Sequence, residues 1–250
     1  MLRYLLLAAI FVSAPAIGAQ SLVQKCPGTR TDSEAYIAQI ARKQLEDLDP
    51  FELLFVKEND LRMKERLGRT FDINSCGGPF DSSFLGTAAI LGSQGDVALA
   101  LAHGANLERP LSSRGESALI QALFNNRFDV AKHLIAAGAD IRSTYGDSYR
   151  YSALDAMSMA MKDPRIDARK QLELAEYLLQ NGLSPNRKDR NPKLGLTPLI
   201  KAVIYDKPAL VEIFKKYGGD PHLTANSGKS AIDYAKSMNR MEILQILETN

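Results

Sequence analysis

The side chains able to do nucleophilic, redox or metal chemistry are few and scattered along this chain. It has three histidines, His103, His133 and His222, and two cysteines, Cys26 and Cys76. No histidine lies at zinc-ligand spacing from a cysteine, and no CxxC redox motif occurs. His103 and His133 fall beside apolar residues of helical patterns, and His222 follows an Asp-Pro turn, so each has a structural explanation.

The acidic residues offer no catalytic pair. Asp32/Glu34 and Asp49/Glu52 directly precede or open apolar helical patterns, where carboxylates fit helix caps better than acid–base partners. Serine-hydrolase, zinc-protease, P-loop and dinucleotide-binding motifs are all missing from the sequence. We therefore expect no enzymatic activity, no metal and no cofactor.

The first residues have the layout of a secretory signal peptide. Arg3 precedes an unbroken apolar run over residues 5–12, and small residues with one proline follow to Ala19. The alternative, an uncleaved membrane anchor, needs about 20 apolar residues, and this run is shorter. Residues 1–19 are thus predicted to be a cleaved signal, which favours a periplasmic protein, or alternatively a secreted one.

The two cysteines suggest one disulfide in such an oxidising compartment. A Cys26–Cys76 bridge would close a loop of about 50 residues and stabilise by roughly 4 kcal/mol in the chain-entropy model. Two separate buried thiols are the alternative. The formal net charge of +2 is too small for a nucleic-acid binder.

Residues 20–80 are predicted to form a helical hairpin tied by that disulfide. Thr31 to Glu34 fits a capping box, and apolar residues then continue at helical spacing to Leu48. Asp49 and Pro50 suit the start of a second helix. We expect this hairpin to cover the apolar flank of the region that follows.

Residues 81–250 repeat themselves. A small capping residue opens a short apolar helix at Ser117, Ser152, Thr197 and Ser230, and a second apolar helix follows each. A fainter copy lies upstream, over residues 84–106. The glycines that end the second helices permit a left-handed turn; they are Gly104, Gly138, Gly182 and Gly218.

This pattern, with a period of about 33 residues, resembles the ankyrin repeat. Residues 195–199 (GLTPL) are similar to the family's helix-opening motif, and residues 136–140 (AAGAD) to its helix-closing motif. The third copy carries about ten extra residues near 161–167, which implies a lengthened loop or helix end. The family's histidine in the opening motif is replaced; the residues there are Ile120, Asp155, Ile200 and Asp233.

The resemblance implies an all-α solenoid of about five ankyrin-like repeats behind the hairpin, and a role in recognition. Partners of such stacks dock on the fingers between repeats and on the exposed side of each first helix. In the fingers the candidate contacts are Arg142, Tyr145, Tyr149, Arg150, Tyr151, Arg187, Lys188 and Arg190. On the first helices they are Gln121, Asn125, Lys201, Tyr205 and Tyr234.

Tyrosine and arginine dominate the finger at 142–151, and basic residues dominate the one at 186–193, which favours an acidic protein partner. Ordinary polar loops are the alternative. Two specific roles stay open, an immunity-type inhibitor of a toxic exported enzyme and a scaffold for a periplasmic enzyme. Binding of an anionic polymer or lipid surface is less favoured. No nucleic acid and no stable membrane insertion after signal cleavage are expected.

Overall fold

The computed structural model describes residues 33–44, 47–54, 67, 71–78, 82–91, 93–111, 115–146, 150–160 and 168–249. The chain divides into two compact units, Met1–Ala118 and Leu119–Asn250. The predicted signal peptide and Cys26 lie outside the described residues, so signal cleavage and the Cys26–Cys76 disulfide stay predictions.

The first unit is mainly helical within its described residues. A two-stranded antiparallel ladder pairs Cys76–Gly77 with Ser82–Ser83, and Cys76 lies opposite Ser83. Arg109 Nη2 lies 3.5 Å from the Cys76 sulfur. The elements are α1 (Ser33–Ile40), α2 (Pro50–Leu53), β1 (Cys76–Gly77), β2 (Ser82–Ser83), α3 (Phe84–Leu91) and α4 (Gln94–Ala102).

Helix α1 is shorter than the apolar spacing predicted. It ends at Ile40, where the Arg42 and Lys43 amides donate to carbonyls three residues back, as in a turn. Leu48 is buried nevertheless, outside any helix. A buried turn residue produced part of the helical periodicity.

The predicted start of α2 is confirmed. The Asp49 carboxylate accepts from the Glu52 amide at 2.8 Å, and Glu52 Oε2 accepts from the Asp49 amide at 3.0 Å. Pro50 occupies the first turn, where its missing N–H leaves no partner unsatisfied. Lys43 Nζ donates to Glu52 Oε1 at 2.6 Å, and this hydrogen bond raises the pKa of Lys43.

Three phenylalanines join the N-terminal segment to the first helix pair, α3 and α4. The Phe51 ring packs edge-on against Phe84 at 5.5 Å and against Phe71 at 5.9 Å, and Phe71 meets Phe84 at 5.8 Å. Gly77 runs so close to Phe51 that an added Cβ would lie 2.6 Å from the ring. Phe51 and Phe71 thus contact Phe84 at the start of α3, while covering of the whole apolar flank by the predicted hairpin stays a prediction.

The second unit consists, in its described residues, of four helix pairs that begin at the predicted positions. The Ser152, Thr197 and Ser230 side chains accept from the backbone amide three residues on, as N-caps do. The pairs are α5 (Ala118–Phe124) with α6 (Phe128–Ala136), α7 (Ala153–Met159) with α8 (Ala168–Gln180), α9 (Pro198–Ile204) with α10 (Pro208–Lys216), and α11 (Ala231–Ser237) with α12 (Met241–Glu248).

The extra residues of the third copy precede and lengthen its second helix. Helix α8 has 13 residues, whereas α6 and α10 each have 9. Residues 161–167 lie outside the described residues. The predicted left-handed turns after the second helices are present, with φ between +82° and +100° at the four glycines named above.

One turn recurs at every junction and extends the repeat upstream. In each copy a polar side chain accepts from the amide two residues on, at 2.8 to 3.2 Å. The most upstream of these turns begins at Asp72. Asp72 follows the Asp49 cap by the same number of residues as Asp140 follows Ser117. The cap at Asp49 and the turn at Asp72 thus have the spacing of the repeat, and the domain boundary at residue 81 stays a prediction. The turn residues are Asp72, Asn106, Asp140, Ser184 and Asp220.

Candidate partner-binding surface

In the finger at 142–151, here the tyrosine finger, an antiparallel bridge joins Tyr145 and Tyr151. The Tyr145 amide donates to the Tyr151 carbonyl at 3.0 Å, and the Tyr151 amide donates back at 2.8 Å. Arg150 closes the turn with a left-handed φ of 51° and donates its amide to Gly146. The tip, residues 147–149, lies outside the described residues, and with it the candidate Tyr149.

Tyr145 was predicted to contact a partner, and the structure corrects this. Its side chain is only 5% exposed. The ring packs edge-on against Phe124 at 5.3 Å and lies 5.3 Å from the Tyr151 ring. Tyr145 is therefore part of the hydrophobic core beneath the finger, whereas Tyr151 is half-buried.

Lys201 was predicted to lie on the surface, and this is also wrong. It is 2% exposed, and its ammonium lies 2.7 Å from Asp155 Oδ1 and 2.7 Å from Asp189 Oδ2. The Tyr151 ring covers it, with the Nζ atom 4.3 Å from the ring centroid. A lysine can be buried in this way because its charge is paired and all its donors have acceptors.

The finger at 186–193, here the basic finger, presents only cations among its charged groups. Its single acid, Asp189, is buried and points inward to Lys201, so its carboxylate is not part of the surface. Lys188, Arg190 and Lys193 are exposed, and Arg187 is half-buried. In the sequence, Asp189 offsets part of the positive charge of these four basic residues. In the structure it is buried and does not contribute to the charge at the surface of the finger.

Arginine hydrogen bonds join the two fingers to each other and tie the tyrosine finger to the end of α8. Arg187 Nη1 donates to the Arg150 carbonyl at 2.9 Å, which links the basic finger to the tyrosine finger. Arg142 Nη2 donates to the Asn181 carbonyl at 2.7 Å, at the end of α8. Arg142 and Arg150 are exposed, so their remaining donors extend the cationic surface.

The first-helix candidates separate into buried and exposed positions. Gln121 is buried, contrary to expectation, and its side-chain oxygen accepts from the Asn125 amide nitrogen at 3.4 Å. Asn125 and Tyr234 are half-buried, and the Tyr234 hydroxyl lies 3.3 Å from Ser227 Oγ. Tyr205 is exposed, as predicted, at 45%.

Met238 is an exposed apolar residue that the sequence reasoning missed. It is 40% exposed and occupies the same position after its cap as Tyr205 does one repeat earlier. That shared position was the signal available in the sequence. Both side chains follow the last residue of a first helix, α9 and α11 respectively.

Two departures from the family pattern gain a physical explanation. Asp155 and Asp233 each accept from the backbone amide and hydroxyl of the cap three residues before, at 2.7 to 2.8 Å. They complete capping boxes on α7 and α11. The backbone hydrogen bond from Ser230, and then that from its hydroxyl, lower the pKa of the exposed Asp233.

The three histidines lie on different elements of the part of the chain that the structure describes. His103 and His222 are exposed and His133 is half-buried. Among the described residues, no group of histidine, cysteine and acidic side chains could hold a metal ion. None of the described helices has the length and apolar character needed to cross a bilayer.

Comparisons with known proteins agree with the repeat. Residues 178–235 match the family described as Ankyrin repeats (many copies). The chain is 29% identical over 150 residues to Neurogenic locus notch homolog protein 1 of Danio rerio, which covers 59% of this chain and 6% of that protein. It is 32% identical over 127 residues to a protein of Treponema pallidum (strain Nichols) named as a putative ankyrin repeat-containing protein. The match covers 51% of this chain and 38% of that protein.

The chain spans less than two thirds of the length of either relative, so the similarity concerns their repeats and not their whole architecture. The matched family, the helix pairs and the recurring turns all describe the same unit. The ankyrin-repeat resemblance predicted from the sequence is thus confirmed for the matched repeats.

Proposed function

We propose that this protein is a non-catalytic interaction module that binds an acidic protein through its tyrosine finger, its basic finger and the adjoining first-helix face. Ankyrin repeats generally mediate protein–protein interaction, which supports the broad class. The proposal of an acidic partner rests on the inward pairing of Asp189 with Lys201. It leaves the basic finger with cations alone at its surface.

The surface also offers the other features of a binding site. Exposed cations of one sign raise the association rate of an acidic partner and suppress cationic competitors. Tyr205 and Met238 are exposed and provide apolar contact area at the ends of first helices. Aromatic and apolar anchors of this kind carry most of the binding free energy in protein interfaces, while charges at the rim set rate and specificity.

The proposed place of action is the periplasm, with secretion as the alternative. The support is the layout of residues 1–19 and the pair Cys26 and Cys76, which we propose to form a disulfide there. The role as an immunity-type inhibitor or as a scaffold for a periplasmic enzyme depends on the captured partner's identity.

The test is a pull-down from periplasmic extract with the mature protein as bait. A Lys188→Gln/Arg190→Gln variant removes two exposed cations from the basic finger. The matched control, Lys216→Gln/Lys236→Gln, removes two exposed cations from α10 and α11. We expect one acidic protein to be retained by wild type and control, and to bind the finger variant at least about tenfold more weakly.

Equal retention by all three baits would move the binding site away from the basic finger. Capture that collapses steeply with salt, and that anionic polymers compete away, would instead indicate a polyanion site. Isothermal titration with the purified partner gives the affinities.

A further inference from the structure

We propose that Lys201 is a positioning residue for this surface, and that its buried ammonium sets the relation between the tyrosine finger and the basic finger. The inference rests on the proposed function, since it concerns how that binding face is held. Lys201 itself, at 2% exposure, does not touch a partner.

The ammonium has three donors and three acceptors around it. Two carboxylate oxygens, from Asp155 and Asp189, lie 2.7 Å away, and the face of the Tyr151 ring lies at 4.3 Å. A lysine ammonium has three N–H donors and no acceptor capacity; here two carboxylate oxygens lie within hydrogen-bond distance and an aromatic face lies against the cation. An aromatic face attracts a cation more strongly when the site is desolvated, as it is here.

The three acceptors come from three different segments. Asp155 lies in the first turn of α7, Asp189 lies in the basic finger, and Tyr151 ends the tyrosine finger. Asp155 is itself fixed, since Ser152 donates to its other oxygen from both the amide and the hydroxyl. Lys201 therefore joins both fingers to a rigid helix start.

The other oxygens of the cluster are also used, so the arrangement has little freedom. Asp189 Oδ1 accepts from the Asn191 amide at 2.9 Å, which orients the basic finger. The two carboxylates carry one more negative charge than the ammonium neutralises. Removing the ammonium would leave two buried carboxylates facing each other, which is strongly unfavourable.

The consequence for binding is preorganisation. With the cluster intact, the exposed cations of the two fingers meet an acidic partner at fixed spacing, and little ordering is required on association. Without the ammonium, the link between the fingers would depend on one surface contact, the hydrogen bond from Arg187 to the Arg150 carbonyl. We therefore expect that loss of the ammonium weakens binding although no contact residue has changed.

The experiment uses the full mature chain and the substitution Lys201→Met, which keeps length and removes charge. Hydrogen exchange by mass spectrometry is measured on the free protein. Peptides covering both fingers are expected to exchange on the order of 100-fold faster than in wild type. Peptides covering α12, remote from the cluster in the repeat order, should stay unchanged.

Lys188→Met is the matched control, because it removes one exposed cation from the same finger without touching the cluster. It should leave exchange at wild-type rates. Asp189→Asn is a second variant for the case that Lys201→Met does not fold. It leaves one buried cation with one buried anion and should loosen the basic finger only.

Binding is measured with a fluorescein-labelled oligoglutamate peptide as the acidic probe. Lys201→Met is expected to bind at least about tenfold more weakly, through a faster dissociation rate. Unchanged finger exchange in both folded cluster variants would overturn the proposal, as would loosened fingers with unchanged affinity. If the cluster variants exchange faster in the fingers but the wild type does not bind the probe, the result would support the positioning role of Lys201. It would refute the proposed binding of an acidic partner.

Discussion

The close approach of Gly77 to Phe51 gives a sharp test of how the N-terminal segment packs. An alanine at Gly77 would place its Cβ 2.6 Å from one ring carbon of Phe51 and 2.9 Å from another. The ring cannot easily retreat, because it is buried between Phe71 and Phe84. Overpacking of this kind lowers the free energy of unfolding by about 1–3 kcal/mol.

The structure predicts that this cost depends on the ring. Phe51→Leu removes the ring atoms that the new methyl group would meet, and by itself destabilises by less than the about 3–5 kcal/mol of a Phe→Ala change. In a protein that already carries Phe51→Leu, the substitution Gly77→Ala should cost close to nothing. The coupling between the two substitutions is then favourable by about 1–3 kcal/mol.

The assay is urea denaturation of the wild type, both single variants and the double variant, followed by far-ultraviolet circular dichroism. Gly95→Ala in α4 is the control, since Gly95 is exposed and the nearest atom to an added Cβ is Ser93 Oγ at 3.3 Å. It should stabilise by about 0.5–1 kcal/mol with either residue at position 51. Additive effects of Gly77→Ala and Phe51→Leu would refute the packing described above.

Two further predictions concern the second unit. Asn186→Ala removes one hydrogen bond to the Gly218 carbonyl at 2.7 Å and one from the Asp220 amide at 2.8 Å, and should lower the free energy of unfolding by about 1–2 kcal/mol in urea denaturation. Since the Ser230 hydrogen bonds lower the pKa of Asp233, its stabilisation is present above an ordinary carboxyl pKa of about 4 and is lost as pH falls through the lower folded pKa. Asp233→Asn should therefore flatten the acid limb of a melting-temperature profile, and an unchanged limb would contradict this.

The helix pairs could be predicted because their signals are local. A capping residue, an apolar helical face and a glycine at the helix end all lie within one repeat, and each fixes backbone hydrogen bonds nearby. Asp49, Ser152, Thr197 and Ser230 are N-caps as predicted. The same local reasoning overextended α1, because buried Leu48 follows the helical spacing without being helical.

The surface could be predicted only in part, because exposure depends on residues far apart in sequence. Tyr205, Lys188 and Arg190 are exposed as expected. Lys201 pairs with Asp155, which lies 46 residues away in the sequence, and no local sequence pattern predicts that contact. A lysine on a first helix is ordinarily a solvated residue, and only the two acids brought to it by folding make its burial possible.

The repeat itself shows why this cluster escapes a periodic analysis. Asp155 and Asp233 occupy the same position after their caps and make the same capping box, yet one is buried against a lysine and the other is exposed. The position of Lys201 is taken by Gln121 in an earlier copy and by Tyr234 in the last one. A repeat period predicts which positions are equivalent, and it says nothing of the neighbours that a particular copy receives.

The residues that depart from the period are therefore the ones that give this stack an individual surface. The shared residues build helix pairs that any ankyrin-like stack could have. Asp189 and Lys201 each occur in one copy, and their pairing turns a mixed-charge finger into a cationic one. Since a partner can distinguish this protein from other stacks only by such single-copy features, we expect specificity to follow substitutions at them more closely than substitutions at the repeated positions.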